Sequence, residues 1–349
     1  MKRRLGSLLL CLCMLLIVLT PVSVSAEGNG GSESVIPFPG EASGKVIGIA
    51  WRADTDSEFY TNIVTAIEEA GGVPVLLDQV CSADLSYDEE GNLTEGVDAM
   101  GALTEAAGKL VRTNTWHDSN AAEVIGDIDT VIFTGGEDIS SSLFFDQVPW
   151  HGVVAEIDYN AERDVSDYLT MSYCLDHDLK VAGFCRGMQM LSVVSGGEII
   201  QDIPAYYAEK GLPYNYEHRN NKATPDSYRD YAPHAVTIRR NSHVYDIYGA
   251  GTLEGCPSWH HQAVENVDNT RLKVTAFTET GGIRIIEAVE RRDKTFAVGL
   301  QFHPEASLVK HLEGAENADQ FMDYETALKF FLELVSEEAE SAEEVPDAA

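Results

Sequence analysis

The sequence predicts an α/β domain built on a parallel sheet, and two patterns carry that prediction. The first is an apolar strand at residues 45–51, a helically spaced segment at 57–70 that stops at Gly71-Gly72, and a second apolar strand at 73–77. Strand, helix and strand at these lengths form a βαβ unit, which requires parallel pairing. The second is an apolar run from Leu179 to Phe184 that drives at Cys185 and is followed at once by a helical pattern of Met188, Met190, Leu191, Val193 and Val194. Gly183 and Gly187 stand two residues to either side of the cysteine. A strand, a sharp turn bearing the nucleophile and a helix make a nucleophile elbow, here with sulfur in place of a hydroxyl. The helix N-terminus behind Cys185 favours negative charge and so favours a thiolate.

The remaining elements follow in chain order. Lys2, Arg3 and Arg4 precede an apolar core at residues 8–19, and Val24-Ser25-Ala26 supplies small residues for cleavage. Residues 1–26 are therefore expected to be a secretory signal peptide and the protein to be secreted. Residues 27–43, rich in Gly, Ser and Pro, read as a linker. Residues 44–335 are expected to form the catalytic domain. Within it, 81–126 is polar and acidic and reads as an inserted surface excursion, with a helix at 99–110. Residues 127–134 form another strand, which runs into Gly135-Gly136-Glu137-Asp138; two glycines there can turn backbone N–H groups toward an anion. A helix spans 162–177, loops rich in Tyr, Asn and Pro fill 204–233, and a strand covers 234–239. Three closely spaced strands lie at 271–277, 282–289 and 295–301, an amphipathic helix lies at 321–335, and 336–349 form an acidic, disordered tail.

Charge and cysteine usage narrow the function. Loss of Lys2, Arg3 and Arg4 with the leader takes the 24 basic residues to 21 against 57 acidic ones, a formal charge of −36. Such a surface repels nucleic acid and anionic membranes. Cys81, Cys174, Cys185 and Cys256 follow the leader, so at most one disulfide forms if Cys185 stays free. The histidines are scattered, with no Cys-x-x-Cys or His-x-x-x-His spacing, so neither metal nor cofactor is expected.

Cys185 needs a base. Gln301-Phe302-His303-Pro304-Glu305 ends a strand, which brings His303 to the carboxyl edge of the sheet where ligand sites lie in parallel folds. Glu305 can orient the imidazole and stabilise its protonated form. The N–H groups of Gly136 and Arg186 can then form an oxyanion hole.

Taken together, these motifs resemble the class I glutamine amidotransferase-like superfamily, and within it the peptidase C26, or γ-glutamyl-γ-aminobutyrate hydrolase, family. The residues that carry the resemblance include Gly71-Gly72-Val73-Pro74, Thr134 to Asp138, Arg163-Asp164, Gly183 to Gln189, Gln201-Asp202-Ile203, His234, His260-His261-Gln262 and Gly299 to Glu305. The resemblance implies a flavodoxin-like fold, a mostly parallel central sheet with helices on both faces. It also implies hydrolysis of a γ-glutamyl amide through a glutamyl thioester on Cys185, with His303 and Glu305 completing the triad. Gln189 is then expected to face the glutamyl group, and His260 and His261 to line the pocket. Ser140, Ser141, Phe144 and Pro257 stand where relatives carry other residues, and are expected at the pocket rim. The expected partner is a small γ-glutamyl compound. The rival readings are a non-catalytic extracellular binding protein on the same fold and a glutaminase component of an amidotransferase.

Overall fold

A computed structural model describes residues 44–145, 150, 152, 156–221 and 230–336. The leader, the linker and residues 337–349 of the tail lie outside the described residues. The strands are β1 (Val46–Ile49), β2 (Val73–Leu76), β3 (Thr130–Phe133), β4 (Lys180–Phe184), β5 (Glu198–Ile200), β6 (Ala232–Ile238), β7 (Thr252–Ser258), β8 (Ala263–Asn266), β9 (Leu272–Thr280), β10 (Ile283–Arg291) and β11 (Ala297–Leu300). The helices are α1 (Glu58–Glu69), α2 (Glu105–Asn114), α3 (Ala121–Ile125), α4 (Ala161–Asp176), α5 (Arg186–Val194), α6 (Ile203–Glu209), α7 (His243–Tyr248), α8 (Pro304–Leu312) and α9 (Tyr324–Val335). None of them is long and apolar enough to cross a membrane.

The main sheet has the order β2-β1-β3-β4-β11-β10-β9-β6-β7. From β2 through β11 every pair is parallel, and from β11 through β7 every pair is antiparallel. The inner parallel strands β3, β4 and β11 are buried on both faces, and their side chains alternate between two cores. Val131 and Phe133 of β3, Val181 of β4 and Ala297 of β11 point to a core shared with α2 to α5. Ile132, Ala182, Phe184, Val298 and Leu300 point to a core shared with α1, α7, α8 and α9. Helices therefore cover both faces, as the βαβ reading requires. Phe184, the residue before Cys185, stacks on Phe331 at 5.4 Å and meets Phe330 edge-on at 5.5 Å. Burying aromatic rings of this kind stabilises by about 1.5–3 kcal/mol each.

Local chemistry sets the element ends. The side chains of Ser57, Thr104, Asn160, Asp202, Ser242 and Asp323 accept first-turn amides of α1, α2, α4, α6, α7 and α9. Pro74 and Pro257 fall in β2 and β7, the two edges of the main sheet, where a missing N–H leaves no inner ladder bond unmade.

The structure corrects several expectations. The helix expected at 99–110 begins only at Glu105, because Asp98 to Gly101 turn back and the Thr104 side chain caps Ala107 N. The 81–126 stretch is not a mere surface excursion: Leu103, Ala107, Val111, Ala121 and Ile125 are buried in the core of that sheet face. Ser140, Phe144 and Pro257 are not rim residues. Ser140 and Phe144 are buried, the Ser140 hydroxyl accepts from Leu103 N, and the Pro257 carbonyl accepts from His303 N. The strand β7 and the helices α7 and α8 also went unanticipated, and α6 occupies the start of the stretch expected to be loop. Cys81, Cys174, Cys185 and Cys256 are free thiols.

Candidate active site

Cys185 sits at the C-terminal end of β4, between β3 and β11, with φ 50° and ψ −103°. Few residues with a side chain occupy that region, so the surrounding structure must hold it there. Its N–H donates to Leu300 O at 2.7 Å, and its carbonyl accepts from Gln189 N at 3.1 Å. The flanking glycines permit the approach. A Cβ on Gly183 would lie 2.5 Å from the Gly187 carbonyl carbon, and one on Gly187 would collide with the Phe133 carbonyl. The backbone of α5 thus rests directly on β3 and β4.

The parallel register of β4 and β11 pairs Phe184 with Leu300, so both chains leave the sheet at one level. Pro304 then opens α8, where its fixed φ suits the first helical position. Between strand and helix, His303 is fully buried and its Nδ1 lies 2.6 Å from Glu305 Oε1. Gly135 closes the other side: a Cβ there would be 2.9 Å from His303 Cε1 and 3.6 Å from Cys185 Cβ. Burial by itself pulls the His303 pKa down. The charges of Glu305 and Cys185, and the hydrogen bonds to both, outweigh it and carry the imidazole up to about 10. This environment favours an imidazolium between a sulfur and a carboxylate.

The Gly135-Gly136 turn is braced by arginine. Gly136 has φ 141°, and a Cβ on it would collide with Arg163 Nη1. Arg163 Nη2 donates to Thr134 O at 3.1 Å and Gly135 O at 2.9 Å, and its Nη1 pairs with Glu137. The Arg186 guanidinium turns away from the turn and binds Asp164 at 2.6 Å and Asp167. Burial opposes its charge, but Asp167 and Asp164 prevail and raise its pKa. Arg186 stands at the head of α5, and its side chain anchors α5 to α4.

A cavity of about 290 Å³ opens beside Cys185. Gly136, Gln189, His260 and His261 line it together with Glu137, Asp138, Glu156, Asp158 and Arg219. The Gln189 amide donates to Gln262 O and Gln301 Oε1, both at 3.2 Å. The two adjacent histidines have opposite environments. His261 bridges Asp138 (2.9 Å) and Asp202 (3.1 Å); burial works against its charge, but those two hydrogen bonds raise its pKa. His260 places Nδ1 2.7 Å from Gln262 O, and burial followed by the charge of His218 holds its pKa well below the usual value.

The peptidase C26 family model matches residues 94–305, more than half of the chain. The chain belongs to the peptidase C26 family. Protein NtpR of Enterococcus hirae is 30% identical over 206 residues, covering 59% of this chain and 79% of its own. The γ-glutamyl-γ-aminobutyrate hydrolase PuuD of Escherichia coli K12 is 28% identical over 151 residues, covering 43% of this chain and 55% of its own. Among solved structures, the glutaminase domain of Trypanosoma brucei CTPS with bound acivicin covers 84% of this chain and 94% of its own, at 15% identity and TM-score 0.44.

The eight residues of this C26 protein expected from the sequence to form the site lie in or against one place. Cys185, Gly136, Gln189, His260 and His261 line the cavity, His303 and Glu305 sit buried behind the thiol, and Arg186 heads the helix. Sequence reasoning did not assign the supports. Arg163 under the glycine turn, Asp202 and Asp138 on His261, and Asp167 on Arg186 come from distant segments. Their acidic and basic types were visible, but their partners were not. Arg219, which pairs with Glu156 at 3.0 Å, is the only arginine or lysine lining the cavity among the described residues. It carried no motif of its own.

Proposed function

We propose that this C26 protein is an exported cysteine hydrolase of γ-glutamyl amides. One observation carries the reading: a thiol on a strained elbow that lines a cavity of small-molecule size, backed by a buried imidazole that Glu305 holds at 2.6 Å. The Cys185 thiolate attacks the γ-carbonyl, and the oxyanion is received by the N–H groups of Gly136 and Arg186. The His303 imidazolium gives its proton to the departing amine, which leaves a γ-glutamyl thioester. Neutral His303 then takes a proton from water as the water attacks the thioester. Collapse frees glutamate and restores the thiolate–imidazolium pair.

The cavity wall suits a glutamyl group. Its α-carboxylate fits beside Arg219. Its α-ammonium fits beside Asp158, whose pKa is raised by burial and then by the neighbouring charges of Glu137 and Asp138. A cation there relieves that repulsion. The names of relatives such as the γ-glutamyl-γ-aminobutyrate hydrolase of E. coli support the reaction class. The basic start, apolar core and Val24-Ser25-Ala26 of the leader support export.

The test is glutamate release, without ATP, from a panel of γ-glutamyl amines, γ-glutamyl amino acids and glutamine, by the mature chain and by Cys185→Ala. Release that depends on Cys185 is the expected result and ranks the leaving groups. A Cys185 inert to iodoacetamide, with no release from any compound, overturns the reading in favour of a binding protein.

A further inference from the structure

We propose that His218, His260 and Glu287 form a binding site for one divalent transition-metal ion of the zinc class, under the floor of the cavity. Each offers one ligand atom, and these atoms lie within 4.8 Å of one another, all buried. The three residues come from separate parts of the chain: the loop after α6, the loop after β7, and the middle of β10. This is why no ligand spacing showed in the sequence.

The unpartnered polar atoms of these side chains point to a cation as their ligand. Both nitrogens of His218, Nε2 of His260, Nε2 of His234 and both carboxylate oxygens of Glu287 are buried without a hydrogen-bond partner. Native interiors leave few such atoms, and a group of them in one spot calls for an ion or water. The second contact of each ring suits a ligating histidine. His260 sets Nδ1 2.7 Å from the Gln262 carbonyl, which puts the proton there and turns a bare Nε2 lone pair into the cluster. His218 Nδ1 lies 3.2 Å from Glu287 Oε1, while its Nε2 faces the Glu217 carboxylate at 3.6 Å, the carboxylate–histidine arrangement that supports a metal-bound ring. A tetrahedral ion with bonds of about 2.0–2.1 Å needs donors roughly 3.3 Å apart, close to that 3.2 Å edge. His234 stands beside the cluster, with Nε2 3.9 Å from Glu287 Oε1 and Nδ1 near the Ala235 carbonyl. Two imidazoles and one carboxylate suit zinc or cobalt better than calcium or magnesium, which take oxygen ligands.

The ion would tie two cavity-framing loops to β10. Ser258 Oγ and His260 N already donate to His218 O at 3.0 and 2.9 Å, so the loops are pinned to each other, and Glu287 supplies the link to the sheet. The site is distinct from the nucleophile, and its occupancy is measurable whether or not the proposed hydrolysis is correct.

The experiment uses the untagged mature chain and its Cys185→Ala form, stripped with a chelator and titrated with Zn²⁺ and, separately, Co²⁺. The expected result is about one equivalent bound to each form, a raised Tm, and visible ligand-field bands of four-coordinate Co²⁺. Glu287→Gln and His218→Gln, checked for folding by circular dichroism, are expected to weaken binding at least about tenfold. No binding above background by the folded wild type overturns the proposal. So does binding that vanishes in Cys185→Ala, which would put the ion at the thiol, and so does binding that folded Glu287→Gln keeps unchanged. The Co²⁺ spectrum of the wild type decides the matter even if both ligand variants fail to fold.

Discussion

Replacing Glu305 with glutamine preserves shape and removes charge from the carboxylate that holds His303 at 2.6 Å. In the wild type the His303 pKa stands at about 10 against an ordinary 6.5, despite complete burial. Glu305 is the largest of the contributions that raise it, ahead of Cys185. An opposite charge at this range moves a pKa by about 1–3 units, so Glu305→Gln should bring the alkaline limb of kcat/KM down by at least about one unit. The rate at neutral pH should fall by about 10²–10⁴-fold, the scale set by removing the carboxylate from a comparable triad. Stability should follow the same sign. The folded pKa is raised, so the stabilisation is complete below about pH 6.5 and is lost as pH rises through about 10. The assays are glutamate release and iodoacetamide inactivation of Cys185 against pH, with Tm followed from neutral to alkaline pH. Glu305→Gln would refute the reasoning if it kept the wild-type alkaline limb in both rate assays and its kcat/KM stayed within about twofold.

Other outcomes follow from the same geometry. Gly187→Ala sets a methyl against the Phe133 carbonyl, a backbone atom that cannot swing aside, and should lower stability by at least about 1–3 kcal/mol in denaturant unfolding. Arg186→Met strands the buried carboxylates of Asp164 and Asp167 and should cost about 3–5 kcal/mol by the same measurement. Arg219→Met should raise KM for γ-glutamyl substrates about tenfold or more while changing kcat little, because it removes a binding contact away from the reacting bond. Phe331→Ala should cost about 3–5 kcal/mol and leave the iodoacetamide rate of folded protein unchanged, since it empties the core behind β4 without touching the thiol.

The fold was legible where a local pattern decides local structure. Residues 45–77 give strand, helix and strand because apolar period and the Ser57 cap agree, and the Cys185 elbow shows because strand, glycines and helix adjoin in sequence. His303 and Glu305 were legible for the same reason, two residues apart at a strand end. What stayed hidden depends on pairing across distance. The strand β7 contains Gly255 and Pro257, which argue against a strand until its place at the sheet edge is known. The start of α2 was misplaced because Asp98 and Thr104 act through side-chain bonds to nearby amides rather than through apolar spacing. The partners of His261, Asp138 and Asp202, lie far from it in sequence, and nothing local to the histidine pair announces them.

Gly183 and Gly187 do more than admit a turn. With no side chain between them, helix and sheet touch main chain to main chain, and the depth of the thiol is set by the thickness of two backbones. That spacing does not depend on which side chains decorate the loops. The groups that would greet a substrate, Glu156, Asp158, Arg219 and Trp259, hang on the stretches before α4, after α6 and after β7. The mouth of the cavity can therefore be recut, residue by residue, while the sulfur stays at its level. For the hydrolysis proposed above, a change of leaving group would then require new loops and no new core.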